Sequence, residues 1–274
     1  MNEESTPIQS ARDGIALVSE ILKAAGDNPN VKEAGGNLGK TALTITKTIN
    51  NALLPLAAVN FAFDKARKYF AEKFNQDLAE KAASIPPEDI VEPKASIAGP
   101  ALQGLAFTHE EPSLRDMYLN LLATAMDGRN SSMAHPAFVE IIKQLTADEA
   151  VLLKKILPVG KSVPIIRISV KQSGSDAYML LAQHLISYHN TNSGFQLECP
   201  DIERNVVNWI RLGLIDVDYT KRLTDDSNYT WAEKRPEYLQ FQASHCINGN
   251  YLEVEKGVLV ATALGTQFAK ALGL

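Results

Sequence analysis

Residues 113–150 restrict the architecture more than any other stretch. Leu114, Met117, Tyr118, Leu121, Leu122 and Ala125 recur at helical spacing, which puts them on one face of an α-helix. Arg115, Asp116, Asn120 and Thr124 lie opposite and are expected to face water. Ser113 suits the N-cap, because its hydroxyl can accept from a first-turn amide. Asp127-Gly128 is expected to end the helix, with Gly128 in the left-handed conformation. A second helix restarts at His135-Pro136, with proline in the first helical position and Phe138, Ile141, Ile142 and Leu145 as its apolar face. Thr146 and Glu149 are spaced as a reciprocal capping box for a third helix. Helices joined by links this short are antiparallel neighbours around a shared core.

The chain before this stretch also reads as helix. Ala11, Ile15, Val18 and Leu22 form a first stripe. Leu38, Ala42, Ile45, Ile49, Ala52, Leu56, Val59, Phe63, Ala66 and Phe70 then alternate steps of four and three, a heptad seam. Pro55 lies within it and is expected to kink or break the helix. Three readings of the seam stay open: packing against helices of the same chain, a subunit interface, or an amphipathic surface in peripheral contact with a membrane. Ile97, Ala101, Leu102 and Leu105 mark one more helix, and no strand signal precedes Pro158. Residues 1–133 are therefore expected to form a helical bundle with a long heptad-patterned helix.

Beyond Pro158 the pattern changes. Residues 163–171 are a β-branched run of strand type. Residues 175–188 read as a helix, with Met179, Leu180, Leu181, Leu185 and Ile186 apolar, and residues 200–212 as another. Strands are expected at 213–219 and 256–262, and a closing helix at 262–272. This order resembles a winged-helix domain over residues 134–274, departing from it by an insertion at 220–255 where a wing tip is usually far shorter. Within that insertion, residues 233–245 suit a helix. The expected fold class is thus mainly α with a small β wing.

The run NLLATAMD followed by HPAFVEIIKQLTADEA resembles the Abi-alpha family, as do LGKTALTITKTINNALLPL and IVEPKASIAGPALQGL upstream. The resemblance is close over residues 31–149 and looser beyond. It implies a bacterial phage-defence role in abortive infection, in which the infected cell stops growing or dies. It assigns no residue a chemical task.

The residues themselves point away from catalysis. Residues 34–41 fit a phosphate loop loosely, with Ala34 in place of the first glycine and no strand before it. The histidines His109, His135, His184, His189 and His245 lack the spacing of a metal cage, and no nucleophile elbow occurs. No cofactor, metal or catalytic residue is expected. Cys199 and Cys246 are isolated, which suits a reducing cytoplasm. The N-terminus is acidic and polar, unlike a secretory leader. Residues 48–63 are too short and too rich in asparagine for a membrane span.

In a winged helix, the helix at 200–212 would present Arg204, Asn205, Asn208 and Arg211 to a partner or to nucleic acid. Charge opposes the nucleic-acid reading: residues 200–274 hold eight basic and ten acidic residues, and the whole chain carries −5. The reading that results is a non-enzymatic anti-phage protein acting through protein–protein association. It would meet a second copy of itself, another defence protein or a phage component. The seam of Leu38, Ile45, Ile49, Leu56, Val59 and Phe63 would be one association surface. The rival is a winged-helix nucleic-acid-binding regulator.

Overall fold

The computed structural model describes residues 64–157, 162–189, 198–247 and 249–274. The first stripe, the loop at 34–41 and the seam from Leu38 to Phe63 lie outside these residues. The helices are α1 (Asp64–Glu72), α2 (Phe74–Ala82), α3 (Ala95–Thr108), α4 (Pro112–Met126), α5 (Pro136–Ile142), α6 (Ala147–Ile156), α7 (Ile202–Arg211), α8 (Pro236–His245) and α9 (Ala263–Leu272). The strands are β1 (Ser162–Gln172), β2 (Tyr178–Ile186), β3 (Ile215–Asp218) and β4 (Asn250–Ala261). A mainly helical chain with a smaller β part is the result. The described residues form two compact units, one of those up to Leu152 with Lys270–Leu274, the other of those within Leu153–Ala269. α5 packs on α3 and α4 within the first unit.

α4 is the axis of the first unit. Leu114, Met117, Tyr118, Leu121, Leu122 and Ala125 are all buried, as their spacing demands. Leu119, Ala123 and Met126 are buried as well, because α2, α3 and α5 surround the helix. Its polar side does not simply face water. Asn120 Nδ2 donates to the Leu272 carbonyl at 2.8 Å, and Thr124 Oγ1 to that of Ala271 at 2.7 Å. These bonds satisfy orphan carbonyls at the end of α9.

Ends of helices follow the sequence at some positions and depart from it at others. Pro112, Pro136 and Pro236 each open a helix. Thr146 N–H donates to Glu149 Oε2 at 2.8 Å and Glu149 N–H to Thr146 Oγ1 at 3.2 Å, a complete capping box. Ser113, however, does not cap α4; Glu111 holds that position, and the Ser113 hydroxyl donates to the Ala147 carbonyl. Gly128 is not left-handed. It is there for close approach: its N–H donates to the Asp89 carbonyl at 2.7 Å, and a Cβ would sit 2.9 Å from that oxygen. Ala66 and Phe70, the last seam positions, are buried, and Phe70 packs against Phe74.

In the second unit the strand order is β2-β1-β4-β3, antiparallel throughout. Residues 175–188 are thus not a helix. Gly174, at φ 80°, turns the chain so that β2 folds back on β1. The element that would have been the middle helix of a winged helix is an edge strand, and the expected two-stranded wing is half of a four-stranded sheet. β4 begins at Asn250, six residues before the expected strand. α7 buries Ile202, Val206 and Trp209 and packs on β2 and β3. Gly213 (φ 71°) closes it: Gly213 N–H reaches the Ile210 carbonyl and Leu214 N–H that of Trp209, both at 2.9 Å.

The segment between β3 and β4 is anchored to the sheet. Tyr229 is buried and its hydroxyl donates to the Gly257 carbonyl at 2.8 Å. Lys256 lies over the Tyr229 ring and pairs with Asp226 at 2.9 Å. Arg235 is fully buried; it is held by Glu237 and donates Nη1 to the Ile186 carbonyl at 2.6 Å. α8 accounts for the expected helical part, starting at Pro236 where the sequence reading started it at Glu233.

Candidate functional site: the edge strand and its polar cluster

Among the described residues the outer side of β2 pairs with no strand. Its first three residues are apolar and exposed: Tyr178 by 66%, Met179 by 53% and Leu180 by 43%. Directly paired residues share a face, so Tyr178, Lys171 and Tyr251 form one row and Leu180, Ser169 and Glu253 the next row on that face. Tyr251 is exposed too. Ion pairs cross the same face, Lys171 with Glu253 and Arg167 with Glu255, each at 2.7 Å. Tyr178, Leu180 and Tyr251 thus lie beside satisfied charges on this face, and Met179 lies on the other.

Past Leu180 the edge is irregular. Between the Ile166–Leu185 and Ile168–Ala182 pairs, Arg167 alone faces Gln183 and His184. This is a bulge, and His184 adopts φ 59° within it, a costly backbone for histidine. The Tyr219 hydroxyl accepts from the His184 backbone N–H at 3.0 Å and lies 3.1 Å from His184 Nδ1. It donates to the Ile166 carbonyl at 3.3 Å. The Arg167 guanidinium sits 4.7 Å from the centre of the Tyr219 ring and grips Glu255 with two nitrogens. Gly257 leaves room for that ring, since a Cβ would meet it at 2.6 Å. Gln183 reaches across to Glu203 of α7 at 2.8 Å. Burial lowers the affinity of His184 for a proton and pushes Tyr219 up to about 12. The hydrogen bonds of the cluster fix the bulge where the edge twists. A bulge at a sheet edge re-aims the strand and limits pairing, so the free surface is a short apolar tip.

Of the residues singled out on α7, Arg204 and Arg211 are exposed. Arg204 pairs with Asp201 at 3.0 Å, and Arg211 Nη2 donates to Asn208 Oδ1 at 2.7 Å. Asn205 is not on that surface. It lies on the buried stripe between Ile202 and Trp209, and its Oδ1 has no hydrogen-bond partner among the described residues. Val207 and Ile210 share the outer side with the arginines. The seam residues Leu38, Ile45, Ile49, Leu56, Val59 and Phe63 lie outside the described part. Sequence reasoning missed the β2 tip and the His184–Tyr219 pair. The signal that would have found them is the Ser-Gly-Ser turn after a β-branched run, which marks a hairpin.

Among the described residues no helix is long and apolar enough to cross a membrane. No group of three or more His, Cys, Asp or Glu side chains converges there as a metal would require.

A family model described as abortive infection alpha matches residues 66–272. The chain belongs to the abortive infection alpha family. The match covers most of the chain and takes in the whole sheet, so the family extends well beyond the part that resembled it most closely in sequence. The seam at 38–63 precedes the matched residues. No curated protein and no solved structure matches. Membership ties the chain to abortive infection, a defence against phage.

Proposed function

We propose that this abortive infection alpha protein is non-enzymatic and acts by protein–protein association, with the apolar tip of β2 as its contact. The observation that carries the reading is Tyr178, Met179 and Leu180, three consecutive exposed apolar residues on an edge strand that carries neither a charge nor a proline. Edge strands are normally blunted by lysine, proline or short length. A surface that keeps its apolar residues exposed is best explained by a partner that covers them. The partner is a second copy, another defence protein or a phage component.

The test is the double variant Tyr178→Ser with Leu180→Ser, expressed in cells challenged with phage. Plating efficiency should rise to that of undefended cells while the thermal unfolding midpoint stays within a few degrees of wild type. Sedimentation of both proteins then tells self-association from a separate partner. Wild-type protection by a folded double variant would overturn the reading.

A nucleic-acid role for α7 is the second reading, and the exposed Arg204 and Arg211 are what favours it. Both arginines already have partners in Asp201 and Asn208, and the acidic balance of residues 200–274 weakens it further.

A further inference from the structure

We infer that a cleft in the first unit binds a small organic oxyanion, a molecule with a phosphate or carboxylate group and an apolar body. The cleft has a volume of about 220 Å³ and is bounded by the end of α2, the turn after α4 and the last turn of α9. It brings together Lys81 and Lys270, which are 189 positions apart in sequence. Lys270 has no ion-pair partner among the described residues. Lys81 is held only loosely by Asp116, at 3.4 Å.

The one carboxylate in the wall, Asp127, does not compete for these lysines. It accepts from Arg129 N–H, Nε and Nη2 and from Asn130 Nδ2, all between 2.8 and 3.0 Å. Those bonds hold its pKa at about 2 and balance its charge with a guanidinium. The end of α9 is likewise quiet, because its last carbonyls are capped by Asn120 and Thr124. What remains towards the cleft is net positive charge, with the Ser84 hydroxyl as a polar contact. Ile85, Ala123 and Met133 supply the apolar wall. Convergent polar groups against an apolar lining are the form of a small-molecule site. This inference stands apart from the association reading, since it uses no residue of β2 or α7.

Phenyl phosphate is the probe, with phenol as its uncharged counterpart and inorganic phosphate as the anion without an apolar body. In calorimetric titration of the full chain, phenyl phosphate should bind saturably with a Kd in the millimolar range or tighter. Inorganic phosphate should bind more weakly, and phenol should give no saturable heat. Lys270→Gln should weaken phenyl phosphate about tenfold, a loss of about 1.4 kcal/mol. Arg204→Gln, far from the cleft in sequence and on the second unit, should bind as wild type does. Lys270 is exposed, so its replacement leaves the core intact, and an unchanged circular dichroism spectrum checks this. Absence of phenyl phosphate binding, or equal binding by wild type and Lys270→Gln, would overturn the inference.

Discussion

Single residues in this protein are constrained by neighbours that local propensity does not see, and Gly265 is the sharpest case. It lies inside α9, where alanine normally stabilises a helix by about 1 kcal/mol over glycine. A Cβ there would lie 1.9 Å from the Leu214 carbonyl oxygen. That oxygen cannot retreat, because Gly213 and Leu214 close α7 and Thr262 N–H donates to the same carbonyl at 3.0 Å. The clash outweighs the propensity gain, and Gly265→Ala should destabilise by about 1–3 kcal/mol in a denaturant titration. Asp127 gives a prediction with a pH signature. Its hydrogen bond from Arg129 first, then that from Asn130, lowers its pKa from 3.8 to about 2. A depressed carboxylate stabilises the fold above its unfolded pKa, and that contribution fades as pH falls from 3.8 towards about 2. Asp127→Asn should therefore be less stable than wild type at pH 6. The gap between the two unfolding midpoints should narrow steadily below pH 4, and a constant gap over that range would show that the charge is not what matters.

Elements were legible in the sequence where one principle acted alone. The α4 face, the proline that opens α5 and the Thr146–Glu149 box were readable because spacing and capping are local. β2 was not readable from its own residues, for two reasons. Its tip is exposed on both faces, so neither face imposes an apolar–polar alternation. Its bulge at Gln183 and His184 breaks the period of two just where burial begins. What is left, YMLLAQHLI, fits helical spacing equally well, and the long-range pairing with β1 decides. In the segment between β3 and β4 the helix was readable but its anchoring was not, since the anchor is a buried arginine whose partners come from β2 and α8. Arg235→Ala removes the donor to the Ile186 carbonyl and strands Glu237, which is mostly buried. Breaking a buried pair from one side costs about 3–5 kcal/mol. Amides of α8 should lose hydrogen-exchange protection well before those of β1 and β4. Uniform loss across the unit would mean that Arg235 supports the sheet as a whole and not this segment.

At the scale of the whole molecule, charge and apolar exposure make opposite demands, and salt separates them. The chain carries −5, so contact with a nucleic acid would have to overcome general repulsion through a few arginines. Any such binding would rest on phosphate neutralisation and would weaken steeply as salt rises. Contact through Tyr178, Met179 and Leu180 rests on removing apolar area from water. Screening leaves that driving force in place, and sulfate strengthens it. The flanking ion pairs Lys171–Glu253 and Arg167–Glu255 are already satisfied within the sheet, so they add little salt dependence of their own. Association of the protein with its partner should therefore hold or tighten between about 50 and 200 mM salt, over which a duplex-binding protein with several phosphate contacts weakens by orders of magnitude. The measurement is a binding isotherm at several salt concentrations, by sedimentation for a second copy and by band shift for duplex DNA. Salt-resistant association with no duplex shift at micromolar protein is the outcome that follows from an uncharged edge on an acidic chain. A steep loss of association with rising salt would move the contact from β2 to the arginines of α7.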